Sequence, residues 1–253
     1  MKKIRNSIRS WVLAFLTPFP FIGLFYLPRF LRDLFNFSRK DKSLRINLID
    51  LQPCLVDWTA YTPFDPHYFY QGAWLARKVS AQKPSHHTDI SSSVLTISVL
   101  SGFVETTFVD YRPLKSNLSG LKSIAGDILA LAFDDKSIDS LSCLHVIEHI
   151  GLGRYGDPLD PNGSIKAALE LQRVVADDGS LYLSVPVGRE RICFNAHRVF
   201  YPETIISMFS ELELIDFSYV DDSGQLHSET SFNEASDLDY GCGMFHFRKL
   251  QLI

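Results

Sequence analysis

From residue 86 onward the chain alternates short β-branched or apolar runs with turns and a helical stripe, and the runs close on Asp89, Asp110, Asp127 and His145. The runs expected as strands are His87–Ile90, Glu105–Asp110, Ser123–Asp127, Ser140–Leu144 and Ser180–Val185. β-branched and aromatic side chains suit a pleated, half-buried surface. Between residues 164 and 176, Ile165, Ala168, Leu169, Leu171 and Val175 form a helical stripe. Asp177-Asp-Gly179 is expected to stop that helix, and Pro202 to open another that runs to Phe209. Glu211–Val220 and Met244–Leu252 then follow as two strands without a helix between them. This order predicts an α/β fold with a mostly parallel sheet and an antiparallel C-terminal hairpin. Ser93–Ser101 conflicts with it, since its β-branched residues favour a strand where the alternation requires a helix.

In such a sheet, ligands bind beyond the carboxyl ends of the strands. That places Asp89, Asp110, Asp127 and His145 where chemistry is expected. Asp110 lies 21 residues after Asp89, close to the roughly 20 residues that separate a nucleotide-binding turn from the acid holding a ribose hydroxyl pair. A carboxylate can accept both hydrogen bonds of such a pair. An Asp closing a strand is equally at home as a solvated turn residue.

The segment from Gly126 to His149, with Val174–Pro186 after it, resembles the class I S-adenosylmethionine-dependent methyltransferases. The resemblance implies a Rossmann-like methyltransferase sheet with S-adenosylmethionine as cofactor. It puts Asp89 and Ser91 in the first turn, Asp110 on the ribose hydroxyls, Asp127 and Ile128 on adenine, and His145 near the sulfonium or the acceptor. His145, Glu148 and His149 are then the candidates to take a proton from the acceptor. A narrower resemblance spans most of the chain. Pro53–Asp57, His67–Tyr70, His87–Ile90, Asp110–Leu114, Asp139–His145, Gly151–Asp157, Phe194–Phe200, Val220–Gly224 and Gly241–Gly243 are similar to the DUF268 family, which implies a role in surface polysaccharide or glycan metabolism. Both resemblances expect glycine where Ser91 stands, because glycine lets the backbone approach a ligand without a Cβ in the way.

The glycine-rich loop Gly151–Asp157 and the segment after the fifth strand supply Arg154, Tyr155, Asp157, Asn195, His197 and Arg198 as acceptor-binding candidates. The two arginines suit a carboxylate or phosphate; the same side chains could instead pin the loops. His145-Val-Ile-Glu-His149 also spells H-x-x-E-H, the inverted zinc-protease motif. That motif needs both histidines on one helix face. Here His145 closes a strand-like run, which is expected to point the rings apart, so zinc hydrolysis is a minor alternative and no metal ligand is assigned.

Residues 1–42 form a separate basic arm, with nine Lys/Arg and two acidic residues, a balance of +7 on a chain of net charge −4. The acidic remainder gives no global case for nucleic acid. The apolar run Trp11–Leu27 is 17 residues long, is interrupted by Pro18, Pro20 and Gly23, and falls short of the roughly 20 a spanning helix needs. Phe30, Leu31, Leu34 and Phe37 then recur at helical spacing. The arm reads as an interfacial anchor, a short signal anchor, or a helix packed on the body. Residues 43–253 are expected as the Rossmann-like domain, with 43–85 as its N-terminal cap. Four scattered cysteines exclude a zinc ribbon and a disulfide framework and fit buried thiols in a reducing compartment. The sequence thus points to a cytoplasmic methyltransferase with a small-molecule or glycan acceptor and a membrane surface as a further partner through residues 1–37. The alternative is a non-catalytic, membrane-associated binding protein that keeps the fold.

Overall fold

The computed structural model describes residues 22–40, 43 and 45–250, and the chain divides into two units, Met1–Phe64 and Asp65–Ile253. The arm's basic start, its apolar run as far as residue 21, and Asp41 and Lys42 lie outside the described residues. In the first unit, helix α1 (Ile22–Lys40) carries Pro28 inside it and ends on Arg39 and Lys40, whose charge suits a helix C-terminus. The side chains of Phe25, Leu31, Phe35 and Phe37 are exposed. No helix among the described residues is long and apolar enough to cross a membrane.

The second unit is built on an eight-stranded sheet. Its strands are β1 (His86–Ile90), β2 (Glu105–Asp110), β3 (Leu121–Ala125), β4 (Ile138–Leu144), β5 (Val175–Val187), β8 (Glu213–Val220), β9 (Leu226–His227) and β10 (Gly241–Arg248). The order across the sheet is β3-β2-β1-β4-β5-β10-β8-β9. β3, β2, β1, β4 and β5 pair in parallel. β10 runs antiparallel to both β5 and β8 and lies between them. The expected C-terminal pair is therefore antiparallel, with its last strand inserted inward. A separate hairpin joins β6 (Arg191–Cys193) to β7 (His197–Val199).

Helices cover both faces. Helix α2 (Pro66–Gln82) and α3 (Val94–Leu100) bury Trp74, Leu75, Val79, Ile97 and Leu100 with Phe108, Leu144 and Met244. On the other face, α4 (Gly163–Val174) and α5 (Pro202–Met208) bury Ala167, Leu171, Val174 and Ile205 with Leu141, Leu183 and Phe245. The β-branched stretch 93–101 is thus a helix. Parallel pairing of β1 with β2 needs a crossover over one sheet face, and Ile97 and Leu100 supply its buried contacts. Tertiary demand overrides propensity here. α4 stops at Val174, before Asp177-Asp-Gly179, because Val175 already pairs with Ile138 of β4. Asp178 instead takes a left-handed conformation inside an irregular β5 (φ 61°).

Candidate active site at the carboxyl edge of the sheet

From β1 the chain moves outward through β2 and β3, then returns to β4 on the other side of β1. The carboxyl ends of β1 and β4 therefore flank a topological switch point, where open α/β sheets form their ligand crevice.

Asp89 ties the two sides together and is fully buried. Its Oδ1 accepts the Ser92 N–H at 3.0 Å, and its Oδ2 accepts the hydroxyls of Ser92 at 2.6 Å and of Ser142. Ser92 Oγ in turn accepts the Leu144 N–H at 2.9 Å. Since Ser142 gives its proton to Asp89, its oxygen accepts His87 Nε2–H at 2.9 Å, and His87 Nδ1 accepts from Ser140 at 2.8 Å. Burial pushes the Asp89 carboxyl up to about 6, against the pull of the serine donors. Burial, with His86 beside it, holds His87 down at about 3. Asp89 thus braces the turn. The sequence reading did not single out His87's role; a histidine inside a strand flanked by serines on the next strand is not visible without the pairing.

Ser91 has φ 55°, the left-handed backbone that glycine adopts freely and other residues adopt at a cost of about 1–2 kcal/mol. Its N–H donates to the Val109 carbonyl at 2.9 Å and its hydroxyl to the same oxygen at 3.2 Å. The turn keeps the glycine conformation, and the hydroxyl turns onto the end of β2. Asp110, half-buried, accepts the Arg112 N–H at 2.7 Å on Oδ1; among the described residues nothing donates to Oδ2. Asp127 is exposed and accepts the Leu129 N–H at 2.9 Å, while Ile128 is buried in the core.

His145 directly follows β4 with φ 55°, and a single 3-10 turn, Ile147–His149, follows it. The helical i, i+4 pair of an inverted zinc protease is absent, and that reading is dropped. The rings do not point apart as expected: His145 Nδ1 lies 2.8 Å from Glu148 Oε1 and His149 Nε2 lies 3.7 Å from the same oxygen. Glu148 is fully buried, and its Oε2 has no hydrogen-bond partner. Burial works to lower the His145 pKa, yet Cys242 and Glu148 facing the ring push it well above the usual histidine value. His149 Nδ1 is 2.6 Å from the Ala196 carbonyl, so it carries the proton and leaves Nε2 as the acceptor.

The loop residues divide. Asp157 spends its carboxylate on the backbone of its own loop, accepting from Gly151 at 2.7 Å and Tyr155 at 3.2 Å. Arg198 is 6% exposed and donates to the carbonyls of Ile150 at 2.7 Å and Pro161 at 3.3 Å and to Ser164 Oγ at 3.0 Å. Both pin loops, which corrects their assignment to the acceptor. Asn195, left-handed at φ 63°, bonds the Leu152 carbonyl at 3.4 Å. Arg154 and Tyr155 are exposed, with the guanidinium 5.1 Å from the ring centre. Tyr155 meets the His149 ring edge-on at 5.7 Å, and His197 lies against Tyr240 at 5.1 Å.

The sequence reading missed a cluster at the same edge. His67 stacks on His145 at 5.8 Å and meets Tyr240 at 5.3 Å, and Tyr68 stacks on His145 at 5.6 Å. His145 Nε2 is 3.3 Å from Cys242 Sγ. Of the four thiols, Cys143 and Cys242 are buried, Cys193 is half-buried and Cys54 is exposed, so the expectation of buried thiols holds for only two of them.

Residues 114–239 match the family described as Caenorhabditis protein of unknown function, DUF268. Comparison with curated proteins gives no match. Among solved structures, the N-methyltransferase NodS from Bradyrhizobium japonicum WM9, in complex with S-adenosyl-L-homocysteine, is 18% identical with a TM-score of 0.53 over 74% of this chain and 89% of that one. A Burkholderia thailandensis 1,6-didemethyltoxoflavin-N1-methyltransferase is 11% identical with a TM-score of 0.50 over 76% and 94%. The [4+2]-cyclase SpnF is 11% identical with a TM-score of 0.54 over 75% and 86%. At these identities the likeness is one of fold: a Rossmann-like methyltransferase sheet.

Proposed function

We propose that this DUF268 chain is an S-adenosylmethionine-dependent methyltransferase whose acceptor is a hydroxyl group on a glycan or other small molecule of surface polysaccharide metabolism. The observation that carries it is the crevice between β1 and β4. Ser91 keeps a glycine-like backbone there, and Asp110 presents a carboxylate oxygen to which nothing donates among the described residues. The residues fit the cofactor. Asp110 would hold the ribose hydroxyls, and Asp127 and Ile128 would flank the adenine.

S-adenosylmethionine, when bound, supplies an activated methyl group, so the protein's part is mainly alignment. Glu148 is too deeply buried to touch an acceptor and acts through the imidazoles. His149 Nε2 is the ring atom free to take the acceptor's proton; the Ala196 carbonyl fixes the tautomer, and Glu148 at 3.7 Å stabilises the resulting imidazolium. Arg154 and Tyr155 are exposed beside His149 and suit an anionic sugar. SpnF, a cyclase, carries the same fold, so the chemistry rests on these side chains and not on the sheet. The test is transfer of a labelled methyl group to surface-glycan fractions. Transfer that falls by about 100-fold in His149→Gln agrees with a general base; transfer unaffected by that change contradicts it.

A second reading, attachment to a membrane surface, draws on α1, where Phe25 and Phe35 are exposed on a helix that also carries Arg32, Arg39 and Lys40. Flotation with anionic liposomes that is lost in Phe25→Asp/Phe35→Asp supports it; equal flotation of both proteins contradicts it.

A further inference from the structure

We propose that His67, His145 and Cys242 form a binding site for a zinc-class divalent ion. The three come from the first turn of α2, the residue after β4 and the start of the paired strand β10. One ligand atom from each lies within 4.8 Å of the others. Tetrahedral zinc with bonds of about 2.0–2.1 Å to nitrogen and 2.3 Å to sulfur sets its nitrogen and sulfur ligands roughly 3.5 Å apart. The His145 Nε2 to Cys242 Sγ separation is 3.3 Å, so this pair is already spaced for one ion, and His67 needs only a small side-chain movement to join it.

Two features favour an ion over a plain polar contact. His145 Nδ1 faces Glu148 Oε1 at 2.8 Å, which leaves Nε2, on the side of Cys242, as the nitrogen that would bind an ion on giving up its proton. A carboxylate behind a histidine whose other nitrogen faces a thiol is the outer shell that metal-ligating histidines commonly have, and it fixes ring and tautomer. In addition, Glu148 is fully buried with Oε2 unpartnered. A buried carboxylate oxygen without a donor calls for a further compensating group close by.

Each ligand is held by its own element. Asp65 caps α2 by accepting the N–H groups of His67 and Tyr68, which sets His67 at the helix start. Cys242 sits on β10 between β5 and β8, and a Cβ on either flanking glycine would collide, at 2.5 Å with Leu238 for Gly241 and at 2.6 Å with Val187 for Gly243. The thiol thus projects to the α2 face, opposite those contacts. Cys242, His145 and Glu148 also stand in the order of a nucleophile, base and orienting acid. The thiol is fully buried, however, which keeps an organic electrophile out, whereas an ion can enter past half-buried His67.

Three protein ligands leave a fourth place open, as in zinc sites that bind water or substrate. That place would take a water molecule, and binding of the ion does not depend on the methyl-transfer reading. The test uses the full chain, stripped with chelator and titrated with zinc and then cobalt. One tight equivalent of zinc and a thiolate-to-cobalt charge-transfer band are expected. His67→Gln, at a half-buried position, retains native circular dichroism and weakens zinc binding at least tenfold. Absence of the thiolate band, or equal zinc affinity in wild type and His67→Gln, would overturn the site whether or not the protein transfers methyl groups.

Discussion

His87 and Asp89 share one serine: Ser142 receives His87 Nε2–H at 2.9 Å and passes its own proton to Asp89 Oδ2. Both residues are buried, and burial shifts them in opposite directions. His87 titrates near 3 in the folded chain and near 6.5 unfolded, so protons favour the unfolded state. Its contribution to stability is full above pH 6.5 and is lost as pH falls toward 3. Asp89 titrates near 6 folded and near 3.8 unfolded. Its contribution is full below pH 3.8 and is lost as pH rises through 6. Between pH 6 and 4 the two effects cancel. Below pH 4 the His87 loss stands alone, at about 1.4 kcal/mol per pH unit. His87→Gln leaves only the Asp89 effect, so acidification from pH 6 to 4 stabilises that variant by about 2–3 kcal/mol relative to wild type. Urea titrations at both pH values decide it; parallel profiles for the two proteins would refute the linkage.

Arg198 on β7 and Arg154 in the Gly151–Asp157 loop have separate duties. Arg198→Met leaves the carbonyl of Ile150 and the hydroxyl of Ser164 without their donor, and the loss of stability is about 3 kcal/mol. Arg154→Ala, at an exposed position, changes stability by less than about 0.5 kcal/mol while weakening an anionic acceptor. Denaturation midpoints separate the two; equal midpoints would contradict the division.

The left-handed turn at Ser91 makes its own prediction. Ser91→Gly stays within about 0.5 kcal/mol of wild type, because relief of the φ 55° backbone is offset by unfolded-state entropy and the lost hydroxyl bond. Ser91→Val places a β-branched residue in that conformation and costs about 2 kcal/mol. Thermal melts of the pair test it, and a Val variant as stable as the Gly variant would argue against a left-handed turn in solution.

The sheet was legible because strand residues announce themselves by composition and their ends by Asp110 and His145. The helix at Val94–Leu100 was not, since only the pairing of β1 with β2 forces a crossover onto residues that favour strands. The placement of Asp110 and His149 at the carboxyl edge could be read from their position after a strand. Asp157 and Arg198 have the same residue types and positions as ligands, and only their backbone partners reveal them as loop pins. His67 and Cys242 lie 175 positions apart, so their meeting over His145 required the fold.

Calorimetric titration with S-adenosylmethionine and S-adenosylhomocysteine tests the central claim most directly. Saturable one-to-one binding is predicted for wild type, weakened about 10- to 100-fold in Asp110→Ala, which removes two charge-assisted hydrogen bonds to the ribose. No heat from either compound with the folded wild-type protein, or equal affinity in Asp110→Ala, would contradict it.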